Sequence, residues 1–191
     1  KDASFGLKPV RMIGGSPYNG GQSRYRIAND YDTNIFQGDL VAQVTGGGVE
    51  IHAVGGTVPI VGVFNGCTFT DPTSGEQVFS NYYPASTAAA DIIANIIDDP
   101  MVIYEIQSDA AFPIADLLGN FDVIKTNAGS TKTGISGDEV DVSTGATTAT
   151  LPLKVIDISQ DPNNQDVAAS NTNVYCTIQN HVYGIKQNGL A

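Results

Sequence analysis

Short apolar runs that alternate with polar residues recur along most of this chain. The runs RYRIA, DLVAQV, VEIHAV and PIVGVF are examples, and the last three are bounded by Gly or Pro. Alternation with a period of two, interrupted by turn residues about every 8–12 positions, is typical of antiparallel β-sandwiches and barrels. We therefore predict an all-β fold with a sandwich or barrel-like antiparallel body. TGGG, between DLVAQV and VEIHAV, predicts a hairpin loop, and DPTSG at 71–75 predicts a turn.

The first residues follow a different pattern. Pro9, Pro17 and several glycines interrupt residues 1–23, and this density of Pro and Gly disfavours helix and long strands. We predict an extended N-terminal arm over residues 1–23 and a single β-rich domain over residues 24–191. An ordered arm needs a surface to lie on. That surface belongs either to a partner or to the chain's own body.

Two segments have sequence features that are compatible with a helix. The isoleucines in residues 92–97 have helical spacing, but Ile is β-branched and Asp98-Asp99-Pro100 is a turn signal. We favour a β-hairpin formed by residues 92–97 and 101–106, with a short amphipathic helix as the alternative. One short helix is predicted at 113–118, where Pro113 suits the first turn and Gly119 suits the C-terminal cap.

Charged residues are distributed unevenly along the chain. The chain has 20 acidic and 9 basic residues, a net charge of -11. Residues 1–28 carry five bases and one acid, a net +4, and the remainder carries four bases and nineteen acids, a net -15. An acidic protein repels nucleic acid and anionic membranes at long range, so we expect neither as a partner. The basic stretch of residues 1–28 suggests attraction to an acidic protein surface, to another copy of the chain or to the acidic remainder of the same chain.

Residue types that catalyse reactions or bind metals are scarce. The chain has two histidines, of which we interpret His52 as a surface or rim residue; His181 follows a predicted strand without a nucleophile near it in sequence. Motifs for a P-loop, a nucleophile elbow or a Cys/His metal site are missing from the sequence. We predict no catalytic residue, no cofactor and no metal ion.

The clustered carboxylates and the cysteines have structural explanations. The acids at 98–99, 138–141 and 161–166 do not match a calcium-binding loop, so we expect turn-forming and solvated acids there. Cys67 and Cys176 lie in apolar surroundings, which predicts small buried side chains in a reducing compartment, with a disulfide as the alternative. No apolar run is long enough to span a membrane and the start lacks a signal peptide, so we expect synthesis in a cytoplasm.

Several segments, in matching order, resemble one protein family. They are GLKPVRMIGGSPYNGGQSRYRIA, GDLVAQV, VPIVGVFNGCTF, DDPMVIYEIQ, GNFDVIKTNAGSTKTGISGDEVD and IQNHVYG. Together these resemble the capsid decoration, or cement, proteins of tailed bacteriophages. The resemblance covers nearly the whole chain, although each motif is short and none is catalytic. It implies a β-rich protein on the outer surface of the head that clamps neighbouring major capsid subunits against internal DNA pressure.

The expected partners follow from the resemblance and the charge. They are the major capsid protein and other copies of this chain, in trimers rather than dimers, on a virion assembled in a bacterial cytoplasm. We expect contact through cations that pair with acidic grooves and through tyrosine anchors. These residues are Lys8, Arg11, Tyr18, Arg24, Tyr25 and Arg26. The alternatives are a head fibre, vertex or tail component, and a β-scaffold enzyme or carbohydrate-binding module.

Overall fold

The computed structural model describes residues 2–184. Within those residues the chain forms fourteen strands and one 3-10 helix, Ile114–Asp116. The strands are β1 (Lys8–Met12), β2 (Ser23–Arg26), β3 (Ile35–Phe36), β4 (Leu40–Val44), β5 (Gly48–Ile51), β6 (Ile60–Thr70), β7 (Gln77–Ser80), β8 (Tyr82–Tyr83), β9 (Ile93–Ile97), β10 (Val102–Gln107), β11 (Asn120–Ile124), β12 (Glu139–Ala146), β13 (Leu153–Ile158) and β14 (Asn173–Ile178). The predicted all-β fold is confirmed.

The strands build two antiparallel sheets and a small ribbon. Sheet A has the order β1-β10-β14-β13-β11-β12, and sheet B has the order β2-β9-β6-β4-β5 with β7 paired to β6. The ribbon pairs β3 with β8. At the two ends of sheet B, β2 approaches β5 so closely that a Cβ on Gly48 would lie 2.8 Å from the carbonyl oxygen of Arg26. Sheet B therefore curls like part of a barrel, while sheet A packs on it as in a sandwich.

Sheet B is buried on both faces. On β4, Leu40 and Ala42 point into a core shared with sheet A, whereas Val41 points into a second core on the opposite face. The second core lies under the β3–β8 ribbon and contains Tyr83. Because successive side chains of a strand point to opposite faces, a strand covered on both sides needs apolar residues at every position. This explains the almost continuous apolar run of β4 and β6.

The predicted hairpin of residues 92–106 is wrong in its pairing. Both predicted strands form, as β9 and β10, but β9 pairs with β2 and β6 in sheet B and β10 pairs with β1 and β14 in sheet A. The predicted turn is present, since the amide of Val102 donates to the carbonyl oxygen of Asp99 at 3.2 Å. It carries the chain from one sheet to the other. Ile96 and Ile97 lie in different cores, which accounts for the consecutive isoleucines.

The N-terminal arm is extended and lies on the chain's own body. β1 is the edge strand of sheet A, and Leu7, just before it, is 2% exposed in the core between the sheets. Of the two surfaces considered from the sequence, the body itself is the one this structure shows for residues 7–12.

The predicted loop, turn and buried cysteines are confirmed, and the predicted short helix forms in part. The TGGG hairpin joins β4 to β5, with Gly46 and Gly47 at positive φ, and residues 71–75 turn between β6 and β7. Of the helix predicted at 113–118, only the single 3-10 turn Ile114–Asp116 forms. Its C-cap is Leu117 rather than Gly119, whose amide donates to the carbonyl oxygen of Asp116. The cysteines are buried and unbridged, with Cys67 in the second core and Cys176 in the first.

Candidate functional site

Four of the predicted contact residues lie on two edge strands that flank the same turn. β1, which carries Lys8 and Arg11, pairs with β10, and β2, which carries Arg24 and Arg26, pairs with β9. β9 and β10 are consecutive, so the edges of the two sheets meet at the turn of residues 98–101. The Ile13 amide, just past β1, donates to the carbonyl oxygen of Met101 in that turn at 2.8 Å. We name the surface formed by β1, residues 13–22 and β2 the basic edge.

The cations of the basic edge have no carboxylate partner within the described part of the chain. No acidic oxygen of residues 2–184 lies within 4.0 Å of the side-chain nitrogens of Lys8, Arg11, Arg24 or Arg26. Lys8, Arg24 and Arg26 are exposed, and Arg11 is partly buried with its Cζ 6.0 Å from the ring centroid of Tyr175. That position allows a cation–π contact, which leaves the guanidinium donors available to a carboxylate. The edge strands of this acidic protein thus carry cations that have no carboxylate partner among the described residues.

The two tyrosines predicted as anchors use their hydroxyls within the chain. Tyr18 is partly buried against the first core and donates to the carbonyl oxygen of Gly21 at 2.8 Å. Tyr25 packs against the second core and donates to Asp98 Oδ2 at 2.7 Å. Burial is the largest cause of the raised pKa of Tyr25, and the hydrogen bonds to Tyr183 and Asp98 raise that pKa further. The alternation of β2 therefore turns Arg24 and Arg26 outward and Tyr25 inward, as predicted from RYRIA.

Three apolar side chains of this region are exposed. Val10 is 38% exposed at the irregular position of β1, Ile13 is 47% exposed, and Met101 is 49% exposed in the turn bonded to Ile13. Interface centres are enriched in apolar residues and Met, and Arg is the charged residue that interfaces favour. The sequence pattern did not point to Met101, since only the folded chain brings that residue beside Ile13.

A cavity of about 390 Å³ lies beside Lys8. Its apolar wall includes Phe5, Leu7 and Ile135, and its polar lining includes Lys8, Glu105 and Asp161. A volume of this size holds one or two side chains of a partner or a small molecule. Nothing in the sequence pattern indicated this cavity, because its walls come from segments that are far apart in the chain.

The interpretation of His52 as a surface residue is wrong. His52 is 1% exposed, and its Nε2 lies 3.9 Å from Asp122 Oδ1 on β11. His181 is also 1% exposed, and its Nδ1 accepts a hydrogen bond from the Tyr183 amide at 3.0 Å. Burial lowers the pKa of both histidines, although the nearby carboxylates oppose this. Since their side chains have almost no solvent access, these histidines belong to the packed interior.

The acids at 138–139 are also buried rather than solvated. Asp138 is 2% exposed and Glu139 is 4% exposed. Lys125 Nζ contacts both carboxyl oxygens of Asp138 at 2.7 Å and lies 3.8 Å from Asp39 Oδ1. By contrast, the acids at 98–99 and 161–166 form turns, as predicted: Asp99 and Asp161 accept hydrogen bonds from backbone amides two residues later.

Within residues 2–184, no group of three or more His, Cys, Asp or Glu side chains is arranged to hold a metal ion. In the same part of the chain, no helix is both long and apolar enough to cross a bilayer. No protein-family model, curated protein or solved structure matches this chain.

Proposed function

We propose that this chain is a non-enzymatic virion structural protein, a capsid decoration or cement protein of a tailed bacteriophage. It binds the outer surface of the head lattice and bridges major capsid subunits. The basic edge is the contact surface, with Val10 and Ile13 as its apolar part and Met101 of the adjoining turn beside Ile13. The family resemblance of the sequence supports this role, and the fold supplies a rigid body for it.

The observation that carries the proposal is the group of unpaired cations on an otherwise acidic protein. Lys8, Arg24 and Arg26 remain exposed and without carboxylate partners among the described residues, although the chain has 20 acids. Such a charge distribution speeds encounter with an acidic surface and selects its orientation. Many weak contacts on a repeating lattice add up through multivalency. Acidic regions of neighbouring copies offer a second complementary surface.

The test measures binding to phage heads that lack this protein. We expect Arg24→Glu and Arg26→Glu each to weaken binding roughly tenfold, which corresponds to about 1.4 kcal/mol. Lys132→Glu is the matched control, because Lys132 is an exposed cation in the loop between β11 and β12. Raising the salt concentration should weaken wild-type binding more than that of the two arginine variants. Equal binding by all three variants would exclude the basic edge as the contact surface.

Copy number distinguishes cement from other structural roles. A count per particle that matches the major capsid protein supports the cement proposal. A handful of copies per particle would favour a head fibre, vertex or tail component. Because the count does not depend on any substitution, it tests the proposal independently of the basic edge.

A further inference from the structure

A lysine and two aspartates meet where β11 ends and β12 begins. Lys125 follows β11 and Asp138 precedes β12, and the pairing of Ile124 with Glu139 places them opposite each other across the two strands. Lys125 Nζ lies 2.7 Å from both Oδ1 and Oδ2 of Asp138. The third residue, Asp39, comes from the segment between β3 and β4, with Oδ1 at 3.8 Å from Nζ. An amine and a carboxyl carbon are therefore held in contact beside a second carboxylate.

The carboxylates of this trio are excluded from water. The side chains of Asp39 and Asp138 are each 3% exposed, and that of Lys125 is 27% exposed. The N-terminal segment packs closely against Ser136, a hydrogen-bond partner of Asp39: a Cβ on Gly6, whose φ is +67°, would lie 2.6 Å from Ser136 Cβ. Gly6 therefore permits a close approach that another residue would obstruct.

Asp39 is fixed in place by two further donors. Ser136 Oγ donates to Asp39 Oδ1 at 2.6 Å, and the Phe36 amide donates to Oδ2 at 2.7 Å. With all three groups ionised, the trio has two buried carboxylates for one ammonium group, an arrangement that carries a desolvation cost. Burial raises the pKa of Asp138, and the charge of Asp39 raises it further against the opposing effect of Lys125. Asp138 therefore takes up a proton to form the neutral carboxylic acid more readily than an ordinary aspartate does.

We propose that Lys125 and Asp138 condense into an intramolecular isopeptide bond, with Asp39 relaying the proton. One proton passes from the ammonium group to the Asp138 carboxylate, which yields a neutral amine and a carboxylic acid. The Nζ lone pair then forms a bond to Cγ of Asp138, and the bond from Cγ to its hydroxyl oxygen breaks. Asp39 accepts a second proton from Nζ and delivers it to the departing hydroxyl, so that one water leaves. No oxidant or other reactant is needed.

Two physical effects favour this condensation. Holding the amine against the carboxyl group replaces a bimolecular step with an intramolecular one, an advantage that reaches about 10⁵ M or more in effective concentration for well-oriented groups. The product also replaces a buried ion pair with a neutral amide and leaves Asp39 as the one carboxylate, already bound by Ser136 and Phe36. The bond closes the loop of residues 126–137 and joins β11 to β12 covalently. This inference does not depend on the proposed capsid function.

The first test uses the wild-type protein. We expect its intact mass under denaturing conditions to be lower than the sequence mass by one water molecule. Lys132 is exposed and lies between the two linked residues, so trypsin can cut the chain inside the closed loop. After limited cleavage at Lys132, we expect the fragments on the two sides of the cut to migrate together on a denaturing gel. A full sequence mass and separate fragments would overturn the proposal.

Two variants test the assignment of roles. Lys125→Arg keeps the positive charge but cannot form the amide, so we expect the full sequence mass and separable fragments after cleavage at Lys132. Asp39→Asn keeps Lys125 and Asp138 but removes the proton relay, so we expect the mass loss to disappear or to develop far more slowly in protein whose circular dichroism is native. Mass loss in Lys125→Arg would overturn the Lys125–Asp138 assignment. Unchanged mass loss in Asp39→Asn would overturn the role of Asp39.

Discussion

Tyr25 on the edge strand of sheet B donates a hydrogen bond of 2.7 Å to Asp98, in the turn that leads into sheet A. This bond ties β2, one of the two strands of the basic edge, to the connection between the sheets. Tyr183 Oη lies 3.1 Å from the same hydroxyl. The tyrosine therefore orients the edge that carries Arg24 and Arg26, rather than offering its hydroxyl to a partner.

Replacing Tyr25 with Phe should lower the free energy of unfolding by about 1–2 kcal/mol. The substitution removes the hydroxyl donor and leaves the partly buried Asp98 carboxylate with one hydrogen bond fewer. Urea denaturation followed by circular dichroism measures the change. Tyr82→Phe is the control, because no hydrogen bond from the Tyr82 hydroxyl is present in the described residues and its ring stacks on Phe36. Equal losses in the two variants would contradict the role given to the Tyr25–Asp98 bond.

Leu7→Ala should destabilise the whole domain by about 2–5 kcal/mol, the usual cost of truncating a buried leucine. Leu7 is 2% exposed and packs in the core between the sheets. Val10→Ala, three residues later at a 38% exposed side chain, should change the stability little. Thermal unfolding of both variants makes the comparison. A Leu7→Ala protein as stable as Val10→Ala would mean that the N-terminal segment is not part of the folded core.

Because Leu7 is buried in the core between the sheets, deletion of the N-terminal arm is a poor test of capsid contact. Deleting residues 1–21 removes β1 and Leu7 and opens the first core, so lost binding would not distinguish a contact role from unfolding. We expect this deletion to give a protein with a broadened unfolding transition. The charge-reversal variants Arg24→Glu and Arg26→Glu avoid this difficulty, since both side chains are exposed.

Glu139→Gln should stabilise the protein at alkaline pH. Burial, with the charges of Asp2, Asp109 and Asp138, raises the pKa of Glu139 to about 7. The folded state therefore holds the Glu139 proton more tightly than the unfolded state, and this contribution to stability is full below about pH 4.5 and is lost as the pH rises through 7. At pH 8 we expect Glu139→Gln to exceed the wild type by about 1–3 kcal/mol. Urea midpoints at pH 5 and pH 8 measure the difference, and a gap that does not widen at pH 8 would refute it.

The buried histidines should destabilise the protein in acid. Burial lowers the pKa of His52 and His181, so the unfolded state binds protons more readily than the folded state as the pH falls below about 6.5. Their contribution to stability is present above that pH and lost below it. We expect His52→Gln and His181→Gln each to reduce the fall in unfolding free energy between pH 7 and pH 5. If the double variant His52→Gln/His181→Gln kept the wild-type dependence of unfolding free energy on pH, the acid sensitivity would belong to carboxylates instead.

The sequence by itself determined the class of the fold and much of its local structure. The two-residue alternation of RYRIA, the TGGG hairpin and the turn at Asp99 are decided by short-range effects: side chains of a strand alternate between faces, and Gly or Asp stabilises particular turns. The burial of Cys67 and Cys176 followed from their apolar neighbours in the same way.

Only the tertiary structure decided which strands pair and which polar groups are buried. The isoleucine pattern of β9 is compatible with pairing to β10 in a hairpin and equally with placement of the two strands in separate sheets. The pattern cannot decide between them, because hydrogen bonds between strands do not depend on side-chain identity. Burial of His52 and Glu139 depends on distant segments that cover them. The neighbours of Glu139 in the sequence are mostly polar, and the apolar neighbours of His52 do not by themselves say which face of the strand is covered. The meeting of Asp39 with Lys125 and Asp138 likewise comes from packing between elements far apart in the chain. Local pattern therefore predicted strands and turns, while long-range packing selected their partners and placed the charged groups.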